Sequence, residues 1–259
     1  MFPKAKTAAL KALEIDGSLG EAHAVLASVS QYYELDWANA EREYKRAIEL
    51  NPNYPTVHHW YGESLAAVGR FDESFAEYNR ALELDPFSFA ISTDLGIAYY
   101  YARQYDRSIE HLQKLIELDP NYLRTHNYLF KVYEERGMFE EALIEREKSS
   151  LLLGENPEKV AKSKAAIKDA LKASGERGYW QKILDLRKET ARSGKPVKAL
   201  DMAILYAKLN EREQAFIWLE KAVEDRAPNI FFLKVSPEWD NIRSDPRFQD
   251  LLRRVGLPK

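Results

Sequence analysis

The sequence predicts an all-α fold: an α-solenoid of antiparallel helix pairs closed by a C-terminal helical cap. Three observations carry this expectation. Pro52, Pro86 and Pro120 end the recurring phrases AIELNP, ALELDP and LIELDP at intervals of 34 residues. Between them, each unit holds two amphipathic helical patterns joined by a short turn, as at Gly69-Arg70. A single helix pair cannot bury its own apolar face, so a two-helix period of this length implies stacked neighbours. The prolines stand where a helix must stop, because proline cannot continue the hydrogen-bonded ladder.

In chain order, residues 1–19 read as a half repeat, one helix ending at Gly17 where later units have proline. Phe2 and Ala12 fall on the register of second helices, so the chain is expected to be a fragment of a longer protein. Four full units follow at 20–54, 55–88, 89–122 and 123–156. The first carries one extra residue, assigned to the turn around Glu34 to Asp36. After Gly154 the period breaks. Asn156-Pro157-Glu158 is a helix start, with a capping side chain before proline in the first turn. A degenerate unit then spans 157–195, its two helices parted by Ser174 to Gly178. The register resumes at 196–228, where Ala203, Tyr206, Ala215, Leu219 and Ala222 hold the expected spacings. In 229–259, Ser236-Pro237 and Asp245-Pro246 open two more helices. Phe231, Phe232, Trp239, Phe248, Leu251 and Leu252 are expected to cover the open end of the stack.

Composition narrows the function. The 259 residues carry a net charge of −3, without the basic excess of a general nucleic-acid binder. No apolar run approaches the roughly 18 residues of a membrane span, and no secretory signal opens the chain. The absence of cysteine removes disulfides, thiol catalysis and thiolate metal sites. None of the common catalytic or nucleotide motifs occurs. The chain is therefore read as non-catalytic, with no cofactor and no metal. His23, His58 and His126 share the fourth position of their units, one unit or more apart, so each is expected to pack within its own helix pair rather than converge on an ion.

The recurring small residues bring a family into view. Gly62, Ser74 and Ala81 in one unit, Gly96 and Ser108 in the next (where the larger Leu115 takes the third place), and Ala27, Ala40 and Ala47 in the first occupy the eighth, twentieth and twenty-seventh positions. Helices that cross closely need such residues. This pattern resembles the tetratricopeptide repeat, strongly over 1–154 and more weakly over 196–227, and the resemblance implies a right-handed superhelix. Phe130 departs from it, standing where a small residue is expected. The stretches GYWQKILDL, WLEKAVEDRAP and FLKVSPEWDNIRSDPRFQDLLRRVGLP resemble the C-terminal repeat region of bacterial signalling proteins, where it follows a Ser/Thr kinase, a nucleotide cyclase or a winged-helix domain.

Carried over position by position, the resemblance implies a concave groove lined by His59, Glu63, Thr93, Ile97, Tyr100, Tyr101, Arg124, Asn127 and Lys131. Rigid aromatic residues beside fixed charges suit a peptide or a docked helix. The function expected is a protein-interaction scaffold whose partner is a protein, a peptide or an upstream effector domain of the same chain. The alternatives are an intramolecular regulatory or self-association module and a small-ligand sensor. The compartment expected is the cytoplasm, or the periplasm should a membrane span lie upstream.

Overall fold

The computed structural model describes residues 2–257, and every regular element among them is helical. Met1, Pro258 and Lys259 lie outside the described residues. The chain divides into two compact units. The first holds the chain up to Ala102 together with Phe231–Val235 and the residues from Leu252 on; the second holds Arg103–Ile230 and Ser236–Leu251.

The first unit contains α1 (Phe2–Ile15), α2 (Gly20–Val29), α3 (Trp37–Leu50), α4 (Pro55–Val68), α5 (Phe71–Leu84) and α6 (Phe89–Tyr101). The expected helix pairs form, α2 with α3 and α4 with α5. The extra residue of the first repeat does not sit in the turn. It is absorbed at the end of α2, where Ser30–Glu34 widens into a π turn before Leu35 reverses the chain at φ 58°. Asp36 then caps α3 by accepting from the Asn39 N–H at 2.9 Å.

The crossing of α4 and α5 shows why the register needs small residues. A Cβ on Gly62 would meet the Tyr78 ring at 3.2 Å and the Ser74 carbonyl at 3.3 Å. The Ser74 hydroxyl donates to the Gly62 carbonyl at 2.7 Å, a bond available only at that approach. Tyr78 and Ala81 are buried behind it.

The second unit contains α7 (Tyr105–Leu118), α8 (Leu123–Glu135), α9 (Phe139–Leu152), α10 (Pro157–Arg192), α11 (Ala199–Lys208), α12 (Arg212–Glu224) and α13 (Pro246–Arg254). The degenerate repeat is α10, which is continuous except for a sharp kink at Ser174 and Gly175, the latter at φ 59°. The two limbs meet so closely that a Cβ on Gly178 would lie 2.2 Å from the Ala170 carbonyl oxygen. Asn156 caps the first limb through the Lys159 N–H at 3.0 Å. On the second limb, Tyr179 and Trp180 bury their rings against Phe139, with Tyr179 4.7 Å from it between centroids.

Trp239, Phe248 and Leu251 are buried in the second unit, where the Asn241 side chain donates to the Ala207 carbonyl at the end of α11. Phe231, Phe232 and Leu252 belong to the first unit instead.

Candidate partner-binding faces

The residues implied for the groove lie on the first helices of their repeats, and each unit presents its own set. In the first unit, the His59 Nε2 lies 2.8 Å from the Asp94 carboxylate, which is itself buried. Glu63 accepts a short hydrogen bond from the Tyr32 hydroxyl. Burial, then the Glu63 charge beside it, pushes the Tyr32 phenol well above its ordinary pKa, so it remains a donor. His59 and Glu63 are partly exposed.

The other four residues of this set are not open to a partner. Thr93, Ile97, Tyr100 and Tyr101 are buried, Tyr101 to 4% exposure. Against Tyr101 lies the chain's own Phe231–Val235 segment. Phe232 stacks on Tyr101 with centroids 4.3 Å apart and planes 24° apart. Phe231 meets Tyr32 edge-on at 4.9 Å. A Cβ on Gly69 would lie 3.6 Å from Val235, which places the segment against the end of α4 as well. Tyr32 and Tyr101 hold the same thirteenth position of their repeats, so the segment follows a repeating strip. Its sequence signal was the run Ile230-Phe231-Phe232-Leu233, four apolar residues outside the 34-residue register.

In the second unit, Arg124 is exposed on α8. The Asn127 side-chain oxygen accepts from the Ser149 hydroxyl at 2.6 Å. The Lys131 ammonium donates to Glu238 at 3.0 Å, and Glu238 also accepts from Ser236 at 2.7 Å. Burial works against the Lys131 charge, and the Glu238 carboxylate outweighs it, so the lysine pKa is raised. The Glu238 pKa is lowered for the reciprocal reason: burial opposes its charge and Lys131 prevails.

Beside this pair lies a second buried carboxylate that sequence reasoning did not single out. Glu134 accepts from the Tyr179 hydroxyl at 2.6 Å and from the Arg146 guanidinium. Arg146 also lies 4.3 Å over the Phe130 ring, which accounts for a bulky residue at a position the repeat keeps small. Lys208 donates to Glu135 at 2.7 Å. The polar residues here are therefore mutually neutralised, and such pairs orient one another more than they stabilise.

Comparison with known proteins agrees with this architecture. Family models described as the tetratricopeptide repeat match residues 25–89 and 92–122. No curated protein sequence matches the chain. Among solved structures, PilW, titled a widely conserved type IV pilus biogenesis factor, aligns over 97% of this chain and 90% of its own, with a TM-score of 0.54 at 15% identity. The Pseudomonas aeruginosa PilF structure covers 89% of this chain and 87% of its own, with a TM-score of 0.53 at 18% identity. MamA covers 62% of this chain and 91% of its own, with a TM-score of 0.50 at 22% identity. Identities this low speak for the fold alone. Tetratricopeptide repeats generally mediate protein–protein interaction, and among the described residues no helix is long and apolar enough to cross a membrane. The recurring prolines, the small residues at the helix crossings, the paired helices and the matched segments agree, and the chain carries tetratricopeptide repeats over residues 25–89 and 92–122.

Proposed function

We propose that this chain is a non-catalytic scaffold that binds a protein or peptide segment on the first-helix faces of its repeats. The observation that carries the reading is the state of His59, Glu63, Asn127 and Lys131. All four remain partly exposed, and each is held by an intrachain partner: Asp94, Tyr32, Ser149 and Glu238 respectively. Side chains fixed before binding lose little rotamer entropy when a partner docks. Arg124, exposed on the same helix as Asn127 and Lys131, supplies a charge that can select an acidic residue.

The strip over Tyr32 and Tyr101 supports a second, intramolecular reading for that part of the surface. Phe232, Leu233 and Val235 are buried there, worth on the order of 5–9 kcal/mol together at 1.5–3 kcal/mol per side chain. A micromolar peptide gains only about 8 kcal/mol on binding. A partner of that affinity would spend most or all of this gain on displacing the segment, so docking is assigned to the residues that remain open.

A peptide array probed with the whole chain tests the main reading. Binding of a selected peptide should fall in Arg124→Glu and persist in Glu83→Lys, a substitution at an exposed position on a second helix. Equal binding by both variants would reject the first-helix face.

A further inference from the structure

The degenerate repeat concentrates the chain's positive charge. Residues 157–198 hold twelve lysines and arginines against five aspartates and glutamates, in a chain whose net charge is −3. Three of the twelve are engaged within the fold. Lys164 donates to Glu147 at 2.6 Å and Lys168 to Glu140 at 2.7 Å, both on α9, and the Lys188 ammonium lies 5.3 Å over the Tyr206 ring. The other nine form no ion pair among the described residues. A surface that gathers one sign of charge steers and holds a partner of the opposite sign.

Part of that charge borders an opening. At the end of α10 away from the kink, its two limbs and α9 enclose a cleft of about 280 Å³. The floor is aliphatic, with Ile167 from the first limb and Ile183 and Leu186 from the second; Ile167 and Ile183 are buried. Lys159 and Arg187 stand on the rim, one from each limb, and both are exposed. Arg146 also lines the cleft but is engaged by Glu134. Glu155, Glu158 and Glu189 share this end of the hairpin. With the exposed Lys162, Arg192 and Lys195 beside lining residues in the chain, five cations outnumber the three glutamates.

The chemistry around the cleft selects among anionic partners. A small anion would use only Lys159 and Arg187, whereas the charge extends past the cleft along both limbs, which suits an extended chain. Residues 157–198 expose no large apolar side chain that could enter a lipid surface. Their two aromatic residues, Tyr179 and Trp180, are buried, so no platform is left on which bases could stack. A protein segment supplies both of the things this surface lacks, carboxylates for the rim and an aliphatic side chain for the floor.

We propose that the open end of the α10 hairpin docks an acidic protein segment, with one aliphatic side chain between the limbs on Ile167, Ile183 and Leu186 and flanking carboxylates on Lys159 and Arg187. This surface is separate from the first-helix faces and stands or falls independently of them.

Fluorescence anisotropy on the whole chain tests it, with a labelled peptide of aspartates and glutamates around one central leucine as the probe. The peptide should bind, lose affinity as salt rises, and bind more weakly when its leucine is replaced by serine. Lys159→Glu combined with Arg187→Glu should weaken it about tenfold or more, since two attractive contacts become repulsive. The melting temperature should stay in place, because both side chains are exposed and unpaired. Lys4→Glu combined with Lys11→Glu makes the same change of charge at exposed positions of α1 and should leave binding in place, as should Arg124→Glu on the first-helix face. An equal loss in the Lys4 and Lys11 variant, no loss in the Lys159 and Arg187 variant, or indifference to the serine replacement would overturn the assignment. Tighter binding of oligothymidylate or of phosphatidylserine vesicles than of the acidic peptide would overturn it as well.

Discussion

The His58 ring is held between two acceptors: its Nδ1 lies 2.6 Å from the Glu77 carboxylate and its Nε2 lies 3.0 Å from the Pro52 carbonyl. Neither partner can donate, so both bonds form only when both ring nitrogens carry hydrogen. The imidazolium thereby ties the second helix of its own repeat to the proline that ends the preceding one. The pattern recurs at His126, with Glu145 at 2.5 Å and the Pro120 carbonyl at 2.9 Å.

A pH dependence follows. Burial opposes the His58 charge and Arg80 adds to that opposition. The bonds to Glu77 and Pro52 outweigh both, and the His58 pKa is raised above its usual value. A raised folded pKa means that this stabilisation is complete below the unfolded value of about 6.5 and disappears as pH rises through the folded value. Urea unfolding at a series of pH values should show wild type losing stability relative to His58→Gln as pH climbs past neutrality. Parallel pH profiles would show that His58 is not charged in the fold.

The α4–α5 crossing gives a sharper test of the register. Gly62→Leu must push the Tyr78 ring away and break the Ser74 hydroxyl bond to the Gly62 carbonyl. Overpacking of this kind costs about 1–3 kcal/mol, read as a lowered urea midpoint. An unchanged midpoint would place the crossing elsewhere.

These two relationships were legible in the sequence because repetition supplies several readings of one position. Gly62 is small for the reason Ala27 and Gly96 are, and each of His23, His58 and His126 was expected to pack inside its own pair. The structure adds the partner, a glutamate at one register position: Glu43, Glu77 and Glu145. Tyr101 is closed by Phe232, about 130 residues downstream, in a segment with no repeat to calibrate it. The run Ile230 to Leu233 declared that it would be buried, but not against what.

The Lys131–Glu238 pair joins residues 107 positions apart. Lys131→Met leaves a largely buried carboxylate with Ser236 as its remaining hydrogen-bond donor among the side chains described, which should cost about 2 kcal/mol. Adding Glu238→Gln should return much of that loss, because the expense lies in the stranded charge rather than in the missing bond. A double-mutant cycle in urea measures both. Additive losses would mean the two side chains do not share an interaction.

Phe232 decides whether the strip over Tyr101 is permanent. The ring is buried, stacked on Tyr101 at 4.3 Å and packed against Phe231 at 4.5 Å. Its truncation in Phe232→Ala should cost about 3–5 kcal/mol, a large share of the roughly 5–15 kcal/mol that holds a domain together. If Phe231–Val235 were instead a loosely held flap, Phe232→Ala would leave the melting temperature in place and open the chain to proteolytic cleavage near Asn229. A large drop in melting temperature with no selective cleavage supports the segment as part of the core and keeps partner docking on His59, Glu63, Arg124, Asn127 and Lys131.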